Sequence, residues 1–428
     1  MNYPVAIAMF GWIAVVVALF VFLAPRRAAL VGFLAGWMFL PIAHYTIPGL
    51  PDYTKISATC GVVLICIALF DFRRLVGLRF RLADIPMLLL CLCPFASSIS
   101  NGLGVHEGLS AVFDWGIIFG APYVVGRLYF GELSSLLELA FGILAGGLVY
   151  VPLCLWELAR GPRLHLQLYG YYPPWLDQET RFGILRPLVF MWSGLMVAQW
   201  MAVAAVVGLW LWKSRTLPRW VTWLVPVLVL TTIALRSVNG WILLLLGATL
   251  LALHSCWRSA APLIVIMLLI LTYVTVRATG LWSGVQSVPV VEALIDKAKG
   301  RSIRYRLDNE NIITNNVHQR PMLGFGRQMA SVDNHKGRYA IRDSLWIIVF
   351  SQCGTIGLVG LMATLLAPVA VFIRNFPASR WQDAAVAPAA ALAVVLVLYT
   401  TDNLANAMLN PVMLLAVGGL AGLRCTAS

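Results

Sequence analysis

Charge is what this sequence has least of. Only 11% of its 428 residues are Asp, Glu, Lys or Arg, and 60% are hydrophobic; a soluble protein has about 25% charged residues. That shortage excludes an ordinary soluble enzyme. Apolar runs recur from end to end, and a bilayer-crossing helix needs about 20 such residues in succession. Their continuity excludes a membrane β-barrel, whose strands alternate apolar and polar positions. Acids are scarcer than bases, 18 against 31. Cysteine is limited to 8 residues, most of them inside apolar runs (Cys60, Cys66, Cys91, Cys93, Cys154, Cys256, Cys353) and read as buried thiols. Cys91-Leu92-Cys93 has the wrong spacing for zinc and no neighbouring histidine. No phosphate-cradling glycine loop is present, so ATP is not an evident energy source. Internal repeats and low-complexity segments are absent. Val5–Ala24 has no basic residue ahead of it and no convincing cleavage site, so it reads as a first membrane helix rather than a cleaved signal peptide.

What is present is about thirteen apolar runs of near-membrane length. They are Val5–Ala24, Ala28–Ile42, Ile56–Phe70, Ile85–Ser100, Leu109–Val125, Leu136–Trp156, Leu188–Trp212, Val221–Leu235, Trp241–Leu253, Pro262–Val276, Ile356–Ile373, Ala384–Tyr399 and Met408–Leu423. The fold class expected is an all-α polytopic membrane protein with about 12–13 spans, forming one domain over 1–428. Arg26, Arg27, Arg73, Arg74, Arg79, Arg81, Arg127, Lys213, Arg215, Arg219, Arg258, Arg374 and Arg380 fall in alternate connections, which the positive-inside rule assigns to the cytoplasm. Two longer segments then lie outside, a short loop over 157–187 and a large loop over 277–343.

The large loop is rich in Arg and Lys, which does not offend the rule, because long loops cross largely regardless of charge. From Arg304 to His318 it is patterned as an amphipathic helix, with Ile303, Leu307, Ile313 and Val317 near one stripe. Arg304/Asp308 and Arg306/Glu310 are spaced to pair at i,i+4. Pro321 stops this helix, and Gly324-Phe325-Gly326 makes a tight turn. Guanidinium groups suit phosphate, since Arg makes forked hydrogen bonds to its oxygens; a basic loop also serves simply as a solvated face or one drawn to anionic lipid. Nucleic acid is not expected on the outer side. In the short loop, Tyr169, Tyr171, Tyr172 and Trp175 suit either an interfacial belt or a sugar face. Asp114, Arg236 with Asn239, and Asp402 with Asn403 are polar residues inside or at the ends of apolar runs, where they are costly and mark either function or an interfacial pair.

Arg306, then Pro321, Gly324 and Gly326, followed by Gly354-Thr355-Ile356-Gly357-Leu358 at the opening of an apolar run, resembles the signature of the O-antigen ligase and polymerase superfamily of bacterial envelopes. RFGILRPLVF (181–190) is similar to that family's Arg-x-x-Gly entry to a mid-chain helix, with Gly183 one residue early, and PYVVGRLYF (122–130) to a stretch of exopolysaccharide-polymerase-like members. The topology agrees over nearly the whole chain. The sequence departs from the pattern in places. Glu310 stands at a common aromatic position, Asp343 where the family has His, Ser344 where it has Asn, and Asn239 in RSVNG where an Arg is usual, with Arg236 one turn earlier.

The resemblance implies a GT-C-like glycosyltransferase in the bacterial inner membrane, facing the periplasm. Its donor is a glycan on undecaprenyl pyrophosphate and its acceptor a glycan, lipid or protein, with membrane lipids and other polysaccharide-export components as partners. It needs no metal, because fixed Arg groups can stabilise the leaving pyrophosphate, and no cofactor, because the pyrophosphate bond supplies the energy. Arg306, Arg181 and Arg236 are the expected clamp on the leaving pyrophosphate. Arg186, Arg304 and Arg320 join the substrate-binding set with Asn239 and Asp402. Asp343 is the candidate base by position, with His335 and His318 as alternatives. Loss of the ligase-type His favours a polymerase over a ligase. A transporter of lipid-linked sugar would need charge near mid-membrane and paired halves, and a non-catalytic assembly protein of the same fold would tolerate the variant positions.

Overall fold

The computed structural model describes residues 3–46, 52–173, 176, 180–181, 184–294, 297–327, 333–334 and 338–423. The helices are α1 (Tyr3–Phe22), α2 (Pro25–Phe39), α3 (Lys55–Phe70), α4 (Phe72–Val76), α5 (Ile85–Ser100), α6 (Val105–Trp115), α7 (Ala121–Tyr129), α8 (Leu133–Arg160), α9 (Leu164–Tyr169) and α10 (Gly194–Lys213). They continue with α11 (Arg219–Thr222), α12 (Leu224–Ala234), α13 (Val238–Trp257), α14 (Ala261–Ala278), α15 (Val288–Leu294), α16 (Lys297–Val317), α17 (Leu345–Asn375), α18 (Ala387–Asp402) and α19 (Pro411–Gly422). Sheet among the described residues is confined to two-residue strand pairs, such as His44–Tyr45 with Tyr53–Thr54.

Among the described residues eight helical segments are long and apolar enough to cross a membrane: α1, Leu82–Ser100, Val105–Tyr129, α8, α10, α13, α14 and α17. The all-α multi-pass architecture is as expected. The expected count is refined: length and composition qualify eight segments, and the other apolar runs form shorter helices. Boundaries also move. α17 starts at Leu345, well before the expected Ile356, and α10 starts at Gly194 rather than Leu188. α8 continues to Arg160, so Glu157, expected to open the short outer loop, lies inside a helix and is 1% exposed. Its carboxylate accepts the backbone N–H groups of Leu164 at 2.9 Å, Leu188 at 2.8 Å and Val189 at 2.7 Å, and so ties that loop down.

α10 and α18 are apolar on nearly every side, which is how a helix in the middle of a bundle reads. Both are buried almost throughout. Small residues let the backbones approach, the usual device where lipid supplies no hydrophobic drive between helices. α7 and α19 are the extreme case. A Cβ on Gly126 would sit 2.2 Å from the Leu415 carbonyl oxygen, and one on Gly418 2.1 Å from that of Tyr123.

The connections rich in Arg gather at one end of the bundle. There Arg127 Nε pairs with Asp84 at 2.6 Å and Arg26 with Glu138 at 2.5 Å. α16 and the turn after it cover the opposite end, where Arg306 meets the turn after α18 and His318 the end of α14.

Gly418→Val should push α19 off α7. Overpacking of this kind costs about 1–3 kcal/mol or more, so the detergent-solubilised variant should melt several degrees below wild type. An unchanged melting temperature would show that the two backbones do not meet this closely.

Candidate functional site

The segment after α16 explains itself through α17. That helix is broken at Gly354, where φ is 60° and ψ is −158°. A break leaves backbone donors and acceptors without helical partners, which is expensive away from water. The turn over Pro321–Phe325 supplies them. Thr355 N donates to the Pro321 carbonyl at 2.7 Å, Ile356 N to that of Met322 at 3.2 Å, and Phe325 N to that of Ser351 at 3.0 Å. The fit requires glycine on both sides. A Cβ on Gly354 would lie 2.5 Å from Met322 backbone, and one on Gly324 2.7 Å from the Ser351 oxygen. Gly324 and Gly326 both have positive φ. The end of α5 closes the assembly: Asn101 Nδ2 donates to the Gly324 carbonyl at 3.0 Å, and Ser97 Oγ to that of Gln352 at 2.7 Å.

α16 thereby becomes a strap across the helix ends. Its pattern holds: Leu307, Ile313 and Val317 are buried. The helix starts earlier than expected, at Lys297. Arg306 donates through Nη1 to the Ala405 carbonyl at 2.9 Å, in the turn after α18. Further along, His318 Nε2 lies 2.8 Å from the Ala278 carbonyl. Past the strap, Arg320 bonds Asn101 Oδ1, and Arg327 pairs with Asp114 and, at 3.1 Å, with Glu107.

The expected i,i+4 pairing of Arg306 with Glu310 is not what the structure contains. Glu310 lies on the buried side of α16 and pairs with Arg277 Nη2 at 2.9 Å, while also accepting from Ser344 Oγ at 2.8 Å. Burial pushes the Glu310 carboxyl above its usual range; the bonds from Arg277 and Ser344 pull it back. Arg306 turns instead to Asp343, with Nε 3.5 Å from Oδ2 and both side chains about one-third exposed. Nor is Arg304 ion-paired with Asp308 among the described residues.

Beneath Arg306 lies a buried hub. Asp402, 2% exposed, accepts Asn239 Nδ2 at 2.6 Å, Asn406 Nδ2 at 2.8 Å and Gln199 Nε2. Asn406 Oδ1 in turn accepts from Arg306 at 3.3 Å. The turn after α18 also takes the N–H of Leu345 on the Asn403 and Asn406 carbonyls. Four expected residues, Arg306, Asp343, Asn239 and Asp402, therefore belong to one constellation drawn from α10, α13, α16, α18 and the segment just before α17. Arg277, Gln199 and Asn406 were missed, and Glu310 and Ser344 were noted without their role here. The asparagines of TDNLANAMLN were the available signal, since repeated amides beside an apolar helix need partners.

The other expected residues lie elsewhere. Arg236 is exposed at the α12–α13 turn with φ 54°, near Asn239 in sequence but outside the hub's hydrogen bonds. Arg304 is exposed, and Arg320 sits at the far end of the strap. Arg186 is only 4% exposed, which sets it apart from any surface clamp. The backbone of Arg181 lies in a short strand. His335 and Trp175 fall outside the described residues. Among the described residues no group of three or more His, Cys, Asp or Glu side chains is placed to hold a metal ion.

An apolar groove of about 490 Å³ runs between α14 and the second half of α17. Thr279 and Thr355 line it, so it reaches the Gly354 break and the turn that fills it. No protein-family model matches the chain, and no curated protein matches it.

Gly354→Ala should displace the 321–326 turn, because the new Cβ meets backbone and the positive φ is strained; the cost should be about 1–3 kcal/mol. Limited proteolysis within 318–327 should accelerate, and an unchanged cleavage pattern would refute the interlock. Arg277→Ala and Glu310→Ala should each destabilise by about 3–5 kcal/mol, as expected for one partner of a buried pair. The double variant should cost clearly less than the sum in a thermal-melt cycle.

Proposed function

We propose that the protein is a lipid-carrier-dependent glycosyltransferase of the bacterial inner membrane that extends a polysaccharide from an undecaprenyl-pyrophosphate-linked donor. The observation that carries this reading is the pair Arg306–Asp343, half-open at the strap end and held from below by the Asp402 hub. An exposed cation beside a carboxylate supplies what transfer from a pyrophosphate requires. The acceptor hydroxyl gives its proton to Asp343, and its oxygen bonds the anomeric carbon. The bond from that carbon to the pyrophosphate oxygen breaks, and its electron pair stays on the leaving group. Arg306 stabilises the charge that develops there.

The groove between α14 and α17 supports the lipid half of the reading, because a polyprenyl tail needs an apolar channel open to the bilayer. Its mouth lies beside His318, twelve residues from Arg306 on α16, or roughly 18 Å at the α-helical rise. A lipid-linked glycan would pass along the outer side of the strap from one to the other, since the inner face of α16 is packed against the bundle. The basic helix ends lie opposite, which by the positive-inside rule supports a strap end facing the periplasm.

The test is an envelope polysaccharide profile in the native host for wild type, a deletion and Arg306→Ala at matched membrane levels. The expected result is loss of long chains with retention of single lipid-linked repeats. The purified variant should be slower by about 10²–10³, typical for removing one charge-stabilising donor. Long lipid-linked chains that accumulate without reaching an acceptor would identify a ligase instead. A normal profile from Arg306→Ala beside a defective deletion would overturn the clamp and favour an assembly or transport role.

A further inference from the structure

A polar cavity lies at the opposite, basic end of the bundle, away from the strap. Its volume is about 650 Å³, and it is lined by Arg26, Arg74, Arg79, Arg81 and Arg127 against a single carboxylate, Glu132. Two of these cations are already neutralised, Arg127 by Asp84 and Arg26 by Glu138. Arg74 lies over the Tyr129 ring at 5.0 Å and donates Nε to the Leu128 carbonyl at 3.2 Å. Among the described residues no carboxylate stands at ion-pair distance from Arg74 or Arg79. The cavity therefore keeps an excess of positive charge.

It does not stand alone. An apolar groove of about 510 Å³ between α5 and the α6–α7 segment shares Leu78 and Arg127 with it. The groove is walled by Met87, Leu88, Phe113, Ile117 and Val124, and by Gly116 and Gly120 where α6 passes into α7. The polar cavity and the apolar groove are therefore neighbours, with the Arg127–Asp84 pair standing between them. The chain beside this junction alternates Arg73, Arg74, Arg79 and Arg81 with strongly exposed Phe72, Val76, Phe80 and Leu82. Such a segment rests at a membrane interface, apolar side chains in the acyl region and cations at headgroup level.

We propose that this paired cavity and groove is a binding site for an anionic phospholipid, its phosphate beside Arg74 and Arg79 and one acyl chain along α5 and α6. The charge fits a phosphate, because Arg offers forked donors to its oxygens. The adjoining groove fits an acyl chain and has no use for a soluble anion. The site is independent of the glycosyl-transfer reading, since it uses none of the strap residues.

The test uses the purified full-length protein in detergent, probed by native mass spectrometry and thermal melting. Phosphatidylglycerol, phosphatidylcholine and inorganic phosphate are added in turn. Wild type should retain and be stabilised by phosphatidylglycerol well above phosphatidylcholine. The double variant Arg74→Gln/Arg79→Gln should lose at least tenfold in phosphatidylglycerol affinity. Gly116→Leu fills the groove from its wall, and a Cβ at Gly116 meets nothing within 4 Å, so the fold should survive. It should lose the lipid while keeping every arginine. Three outcomes would overturn the proposal: equal retention of phosphatidylcholine, binding of inorganic phosphate as strong as that of the lipid and unaffected by Gly116→Leu, or no binding by wild type.

Discussion

The structure depends on how a broken membrane helix satisfies its backbone. α17 is interrupted at Gly354, and away from water the freed N–H and C=O groups must find protein partners. The Pro321–Phe325 turn provides them. That one exchange fixes the strap over the bundle, because α16 ends only a few residues before the turn. It also fixes the entrance of the groove between α14 and α17, since Thr355 both donates to the Pro321 carbonyl and lines that groove. Proline ends the helix before the turn, and the glycines let two backbones come closer than any side chain would allow.

A second constraint is the burial of charge at the same end. Two carboxylates, Asp402 and Glu310, are taken out of water within reach of Arg306, and each is satisfied by different partners. Three side-chain amides hold Asp402; a guanidinium and a hydroxyl hold Glu310. With both occupied, Arg306 is left to the half-open Asp343. The division gives the site its character: a rigid buried base, and above it one cation and one carboxylate accessible to a ligand. The other end of the molecule handles charge differently, with a surplus of arginines around an open cavity and few acids to absorb it.

Much of the fold was legible in the sequence because its solvent is hydrocarbon. The helical runs, the alternation of basic connections and the amphipathic stripe Leu307–Ile313–Val317 all follow from which side chains lipid accepts. Asn239 and Asp402 were legible as candidates because polar residues at the ends of apolar runs are costly; Arg306 and Asp343 were picked out only by the resemblance of their surroundings to a family signature. The pairings were not. Spacing on one helix suggested Arg306 with Glu310, yet the partner of each came from another element, Asp343 before α17 and Arg277 at the end of α14. Local periodicity carries no information about which helix end lies next to which.

By itself the sequence determined that this is an all-α multi-pass membrane protein with a basic, proline-stopped amphipathic segment late in the chain. It also determined that Gly324 and Gly326 make a tight turn after Pro321, while Gly354 was placed only at the opening of an apolar run. Only the tertiary structure decided that these glycines meet, that the turn completes the broken helix, and that Arg306 faces Asp343 above a buried amide-bound Asp402. The physical reason is that hydropathy and helical period are properties of single segments, whereas hydrogen-bond satisfaction in a low-dielectric interior is settled between segments brought together by packing.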